Sequence, residues 1–111
     1  HGLSNAMLFP AVTAYSVSGA EARYAQCARA YGVADPSSSD ETASRAMVEA
    51  LSQLCRDLDV PTPKSYGIDQ DAWTQLTPLM AEQAVASGSP ANNPVVPTLA
   101  DIESIYGQVY A

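Results

Sequence analysis

The sequence predicts an all-α protein of about five helices, packed as an irregular bundle around a buried first helix. Three features lead there. Alanine is abundant while β-branched residues are sparse, a balance that favours helix. Apolar residues recur at three- and four-residue spacing, most clearly in Met47, Val48, Leu51, Leu54, Cys55 and Leu58. No segment holds the alternating pattern of a half-buried strand.

The first helix runs from Gly2 to about Tyr15. Leu3, Met7, Ala11 and Ala14 form one apolar stripe, and Leu8, Val12 and Tyr15 another. A helix apolar on more than one side belongs at the centre of its domain. Pro10 cannot donate to the Ala6 carbonyl, so a bend is expected there. A second helix covers about Ala20 to Tyr31, with Gly32 placed for a left-handed cap. "VADPSSSDE" is a surface loop, and Ser39 or Asp40 opens a third helix that runs to about Leu58. Glu49, Gln53, Arg56 and Asp57 fall on its outer side. "VPTPKSYGI" is read as non-helical, because Pro61 and Pro63 restrict their own backbone and that of Val60 and Thr62. Asp69 caps a fourth helix, about Gln70 to Ser87, which Pro78 bends or breaks. "SGSPANNPVVP" is a loop, and Thr98 with Asp101 three residues on makes a near capping box for the last helix.

A length of 111 residues suits one domain. The formal charge of −7 and only five basic residues, scattered along the chain, argue against nucleic acid as a partner. No apolar run is long enough to span a bilayer, so no membrane partner is expected. Cys27 and Cys55 match no metal or redox spacing; each falls on an apolar stripe and is read as a buried small hydrophobe, which fits a cytoplasmic location.

Catalytic chemistry is hard to build from these residues alone. The carboxylate pairs Asp40–Glu41, Asp57–Asp59 and Asp69–Asp71 sit at helix ends, where capping and the helix dipole account for them. The six glycines are isolated and form no phosphate loop. Trp73 and the tyrosines are spread over several helices, as core residues are. No catalytic residue and no cofactor-binding residue is therefore assigned. His1 is the one remaining candidate. Imidazole is a common metal ligand, but a metal needs three or more protein donors and this is the single histidine.

"HGLSNAMLFPAV" resembles the H-G-x-[AS]-N-A segment, followed by apolar residues and a proline, of the iron-dependent (group III) alcohol dehydrogenases. "YGIDQDAWTQLTPLMAEQAVASG" is similar to the G-I-x-x-x-x-[WL] helix and A-x-x-A of that family's C-terminal half, and "NNPVVPTLADIESIY" to its closing N-P-x-x-x-T-x-x-[DE]-I segment. Three matches in the right order span nearly the whole chain.

The resemblance implies that residues 1–111 are the C-terminal part of a helical, metal-binding domain, with a nucleotide-binding α/β domain elsewhere in the polypeptide. It implies that His1 is a ligand of Fe²⁺ or another divalent metal such as Zn²⁺, with the other ligands upstream. NAD or NADP would be bound mainly by the missing domain. The implied reaction is hydride transfer between an alcohol and an aldehyde or ketone, by an enzyme that is a homo-oligomer at full length. The isolated piece is expected to be inactive. Many relatives carry Arg after the N-P of the closing segment, where this chain has Val95, so its loop is expected to be held another way. Two alternatives stand beside this reading: a maleylacetate-reductase-like keto-acid reductase of the same superfamily, and a helical interaction module without catalysis.

Overall fold

Polar side chains set the helix starts much as the sequence indicates. The computed structural model describes residues 1–111 and contains no strand; its helices are α1 (Gly2–Ser16), α2 (Glu21–Tyr31), α3 (Asp40–Asp57), α4 (Pro63–Tyr66), α5 (Gln70–Ala86) and α6 (Leu99–Val109). Ser39 accepts from the Thr42 N–H to begin α3, and Asp69 accepts from the Ala72 N–H to begin α5. Thr98 and Asp101 exchange both bonds of a capping box at α6. Gly32 closes α2 with φ +85°, a conformation open to glycine and costly to most other residues.

Two proline-bearing segments form helix here. The segment after Val60 is not wholly irregular: Pro63–Tyr66 forms a single helical turn, α4. Pro63 stands at its first position, where a missing N–H costs nothing, and Thr62 and Ser65 cap it reciprocally. Pro78 does not break α5, which continues through it from Gln70 to Ala86. The loop after Gly88 contains one short 3-10 turn, Ser89–Asn92, and is otherwise extended or bent.

α2 and α3 pack along one another as a hairpin, and α5 packs on α6. α1 lies between the two pairs and touches both α3 and α6. The α2–α3 seam is built on alanines: Ala25, Ala28 and Ala43 are fully buried, with Ala34 and Met47 packed against them. Small side chains let the two helices approach closely. The stripe predicted for α3 consequently lies to one side of the seam, half-buried at Met47, Val48, Leu51 and Cys55 and exposed at Leu54 and Leu58. Cys27 is exposed rather than buried, because Ala25 and Ala28 carry the contact and turn it outward. Cys55 is half-buried and has a specific partner. Its thiol donates to the Ala6 carbonyl at 3.7 Å, the same carbonyl that Pro10 leaves without a helical donor.

The second pair is tied by aromatics. Trp73 of α5 donates its indole N–H to the Tyr106 carbonyl at 2.9 Å and meets the Tyr106 ring edge-on, centroids 5.8 Å apart. Tyr110 packs against the same indole and donates to the Ile68 carbonyl, while its own carbonyl accepts from the Lys64 N–H of α4. The single turn of α4 is thereby bound to the end of the chain.

The result is a thin slab, 46 × 30 × 19 Å, with a radius of gyration of 14.9 Å against about 13 Å for a compact domain of this length. Its exposed area, 6910 Å², exceeds by roughly 1,000 Å² what a monomer of this mass exposes. The difference is visible on α1. This helix is central, yet covered on one side only: its buried residues are Thr13 and Ser16, whereas Phe9 is 55% exposed and Leu3 and Val12 are also open. Trp73→Phe keeps one aromatic ring but removes the indole donor from the Tyr106 carbonyl and part of the packing on Tyr106 and Tyr110. It should lower the unfolding free energy by at least about 1 kcal/mol in denaturant titration.

Candidate metal centre

His1 is the residue immediately before α1, and its carbonyl accepts from the Asn5 N–H at 3.0 Å and from the Ser4 hydroxyl at 3.1 Å. Its side chain caps nothing and is exposed. Helical spacing places Asn5, Phe9 and Val12 beneath it, on the face of α1 turned away from α3. All three are exposed. Nowhere in the chain do three His, Cys, Asp or Glu side chains come together as a metal site. The donor chemistry is therefore that of a single imidazole, suited to a divalent transition metal but insufficient to hold one without further ligands.

Beside this face runs an apolar groove of about 470 Å³ between α1, the end of α5, the 88–97 loop and α6. Asn5 and Val12 stand at its α1 wall, Ser87 and Ser89 at the α5 end, and Ile102 and Tyr106 on α6. No Arg or Lys lines it. Sequence reasoning missed this groove, since its walls come from segments far apart in the chain.

The far end of α1 is anchored by polar contacts. Tyr15 donates to Asp101 Oδ2 at 2.9 Å, the same oxygen that accepts the Thr98 N–H at 2.9 Å in the α6 capping box. The backbone N–H of Thr98, the Tyr15 hydroxyl and the Thr98 side chain together hold the Asp101 carboxyl below its ordinary range. Partial desolvation, then the hydrogen bond to Asp101 and last the Asp101 charge, push the Tyr15 phenol up. One residue on, the Ser16 hydroxyl donates to the Val12 carbonyl at 2.6 Å and accepts from Asn93 Nδ2 at 2.9 Å. The second amide hydrogen of Asn93 goes to the Val95 carbonyl at 2.7 Å. Gly19 lies so close to the same loop that a Cβ there would strike the Pro94 carbonyl and come within 2.9 Å of Val95 Cγ2.

Comparisons with known proteins give the family. Residues 1–110 match the Fe-containing alcohol dehydrogenase family, C-terminal. The chain belongs to that iron-containing family. It is 33% identical over 107 residues to the lactaldehyde reductase of Escherichia coli (strain K12), covering 96% of this chain and 27% of that protein. It is 24% identical over 111 residues to the NADPH-dependent butanol dehydrogenase of Clostridium saccharobutylicum, 99% of this chain and 28% of that protein. A choline dehydrogenase of Bacillus subtilis (strain 168) is 28% identical over 90 residues, 81% of this chain and 22% of that protein. The chain thus spans about a quarter of the length of the curated relatives it matches. No helix is long and apolar enough to cross a membrane.

Asp101 gives the anchor a definite pH dependence. A carboxyl with a lowered folded pKa stabilises fully above its unfolded value, and the contribution is lost as pH falls through the folded value. Thermal unfolding from about pH 7 down to about pH 2 should therefore show a steeper acid-side loss of stability, below about pH 4, in the native chain than in Asp101→Asn. On the alkaline side, the raised phenol of Tyr15 favours folding below about pH 10 and ceases to do so as pH rises through its folded value.

Proposed function

We propose that this chain is the C-terminal helical part of an NAD(P)-linked, iron-dependent alcohol dehydrogenase acting on a small alcohol or aldehyde, and that His1 is one of its metal ligands. The observation that carries the reading is the position of His1. It stands at the open start of a helix that is anchored at its other end, in register with the exposed residues Asn5 and Val12 at the mouth of an apolar groove. Family membership supports the metal; the names of the relatives support alcohols and aldehydes as the substrate class.

On this reading the remaining ligands, and most of the NAD(P) site, come from parts of the polypeptide outside residues 1–111. The same parts would cover Phe9 and its neighbours and account for the excess exposed area. A bound divalent iron would supply a Lewis acid for the substrate oxygen. The residues present here have three tasks: His1 donates a neutral imidazole, α1 holds it in place, and the groove receives the carbon chain while excluding water.

His1→Ala in the full-length protein should deplete bound iron, measured by elemental analysis. NAD(P)-linked alcohol oxidation should fall by more than the ~10–100-fold that loss of a metal's outer-shell partner costs. Full iron content with undiminished turnover in that variant would remove His1 from the site. The 111-residue chain alone should bind Fe²⁺ weakly in calorimetric titration and show no dehydrogenase activity, for want of donors.

A further inference from the structure

The 88–97 loop forms one wall of the groove, through Ser89, Pro90, Asn93 and Pro97. It contains no long helix or strand to hold it. Its attachment to the rest of the chain is local and polar. Ser16, 1% exposed, receives Asn93 Nδ2, and Asn93 also closes on Val95 within its own loop. Gly19 lets the Pro94 backbone come closer than any side chain would allow. A single amide therefore spans the two walls, α1 on one side and the loop on the other.

We propose that Asn93 is a positioning residue: by latching the 88–97 loop to Ser16 it fixes the width of the groove, and through that width the chain length of alcohol the enzyme prefers. The proposal rests on the dehydrogenase reading above. The latch lies at the end of α1 away from His1, so it acts on the groove wall and leaves metal binding alone. Asn is needed because both amide hydrogens are used, one on each wall. Asp donates neither, and Ala leaves the Val95 carbonyl and the Ser16 hydroxyl without that partner.

The test uses the full-length protein and a series of linear primary alcohols from ethanol to octanol. In Asn93→Ala, the spread of kcat/KM across the series should narrow by about fivefold, the effect of losing roughly one hydrogen bond's preference. The change should fall mainly on KM, with iron content unchanged. Amide hydrogen exchange of residues 88–97 should quicken by about fivefold or more, a readout independent of turnover. Ser16→Ala should shift both measurements in the same direction but less, because the Asn93–Val95 bond survives, and it supplies the same test should Asn93→Ala fail to fold. An active wild type whose variants keep the native chain-length profile, or the native exchange of 88–97, overturns the latch alone. A wild type inert toward every alcohol overturns the dehydrogenase reading and the proposal with it.

Discussion

The placement of α1 is the constraint on which everything else depends. It packs on the α2–α3 pair through α3 and on the α5–α6 pair through α6. Its buried residues are polar, Thr13 and Ser16, and its most specific contacts are the hydrogen bonds Tyr15–Asp101, Ser16–Asn93 and Cys55–Ala6. Apolar packing alone tolerates sliding and rotation, since one aliphatic contact replaces another at little cost. A hydroxyl facing a single carboxylate does not: displacement leaves a desolvated polar group without a partner. The bond to Asp101 fixes the rotation of α1, and Ser16 in turn holds the loop that carries Asn93.

That arrangement explains how a helix rich in apolar residues can be central and still open. Its apolar surface is divided. Ala6, Met7 and Pro10 turn toward α3 and the segment after it; Leu8 and Tyr15 turn toward α6 and the groove, and Phe9 is left outside. A helix apolar on every side predicts burial on every side, and within residues 1–111 only part of that burial is met. The thin slab and its surplus of exposed area are the same fact at the scale of the whole chain.

Much of the fold was legible in the sequence because its helix starts rest on local chemistry. Ser39, Asp69 and the Thr98–Asp101 pair act within three residues of themselves, and so does the Gly32 cap. What failed depends on contacts between helices. The periodic stripe of α3 gave the helix correctly but misjudged which residues it buries, since the seam is set by how closely Ala25, Ala28 and Ala43 allow two backbones to approach. Cys27 was misplaced for the same reason. The turn at Pro63 was missed by weighing prolines as breakers without asking whether one stood at a first helical position. Of the candidate site, His1 was conspicuous as the single imidazole, and its proposed role came from family resemblance. The groove and the Ser16–Asn93 pair were invisible: those two residues lie 77 apart in sequence, and neither carries a pattern that points to the other.

The distance between the anchor and His1 along α1 has a mechanical consequence. A helix of 15 residues is about 22 Å long. If it is held at Tyr15 and Ser16, a tilt of only ~3° about that end displaces its first residue by about 1 Å. A coordinating or catalytic constellation tolerates about 0.5 Å. Two hydrogen bonds at the far end are therefore too coarse to set the position of residue 1 to that tolerance by themselves. A contact nearer the start is required, and the Cys55 thiol on the Ala6 carbonyl lies there, one turn and a half from His1. It occupies the carbonyl that Pro10 leaves free, so the proline that weakens the helix also creates the acceptor by which α3 steadies it. A proline in the interior of α1 is then no contradiction. It exchanges an internal hydrogen bond for an external one, and the external one ties the His1 end of the helix to the rest of the chain.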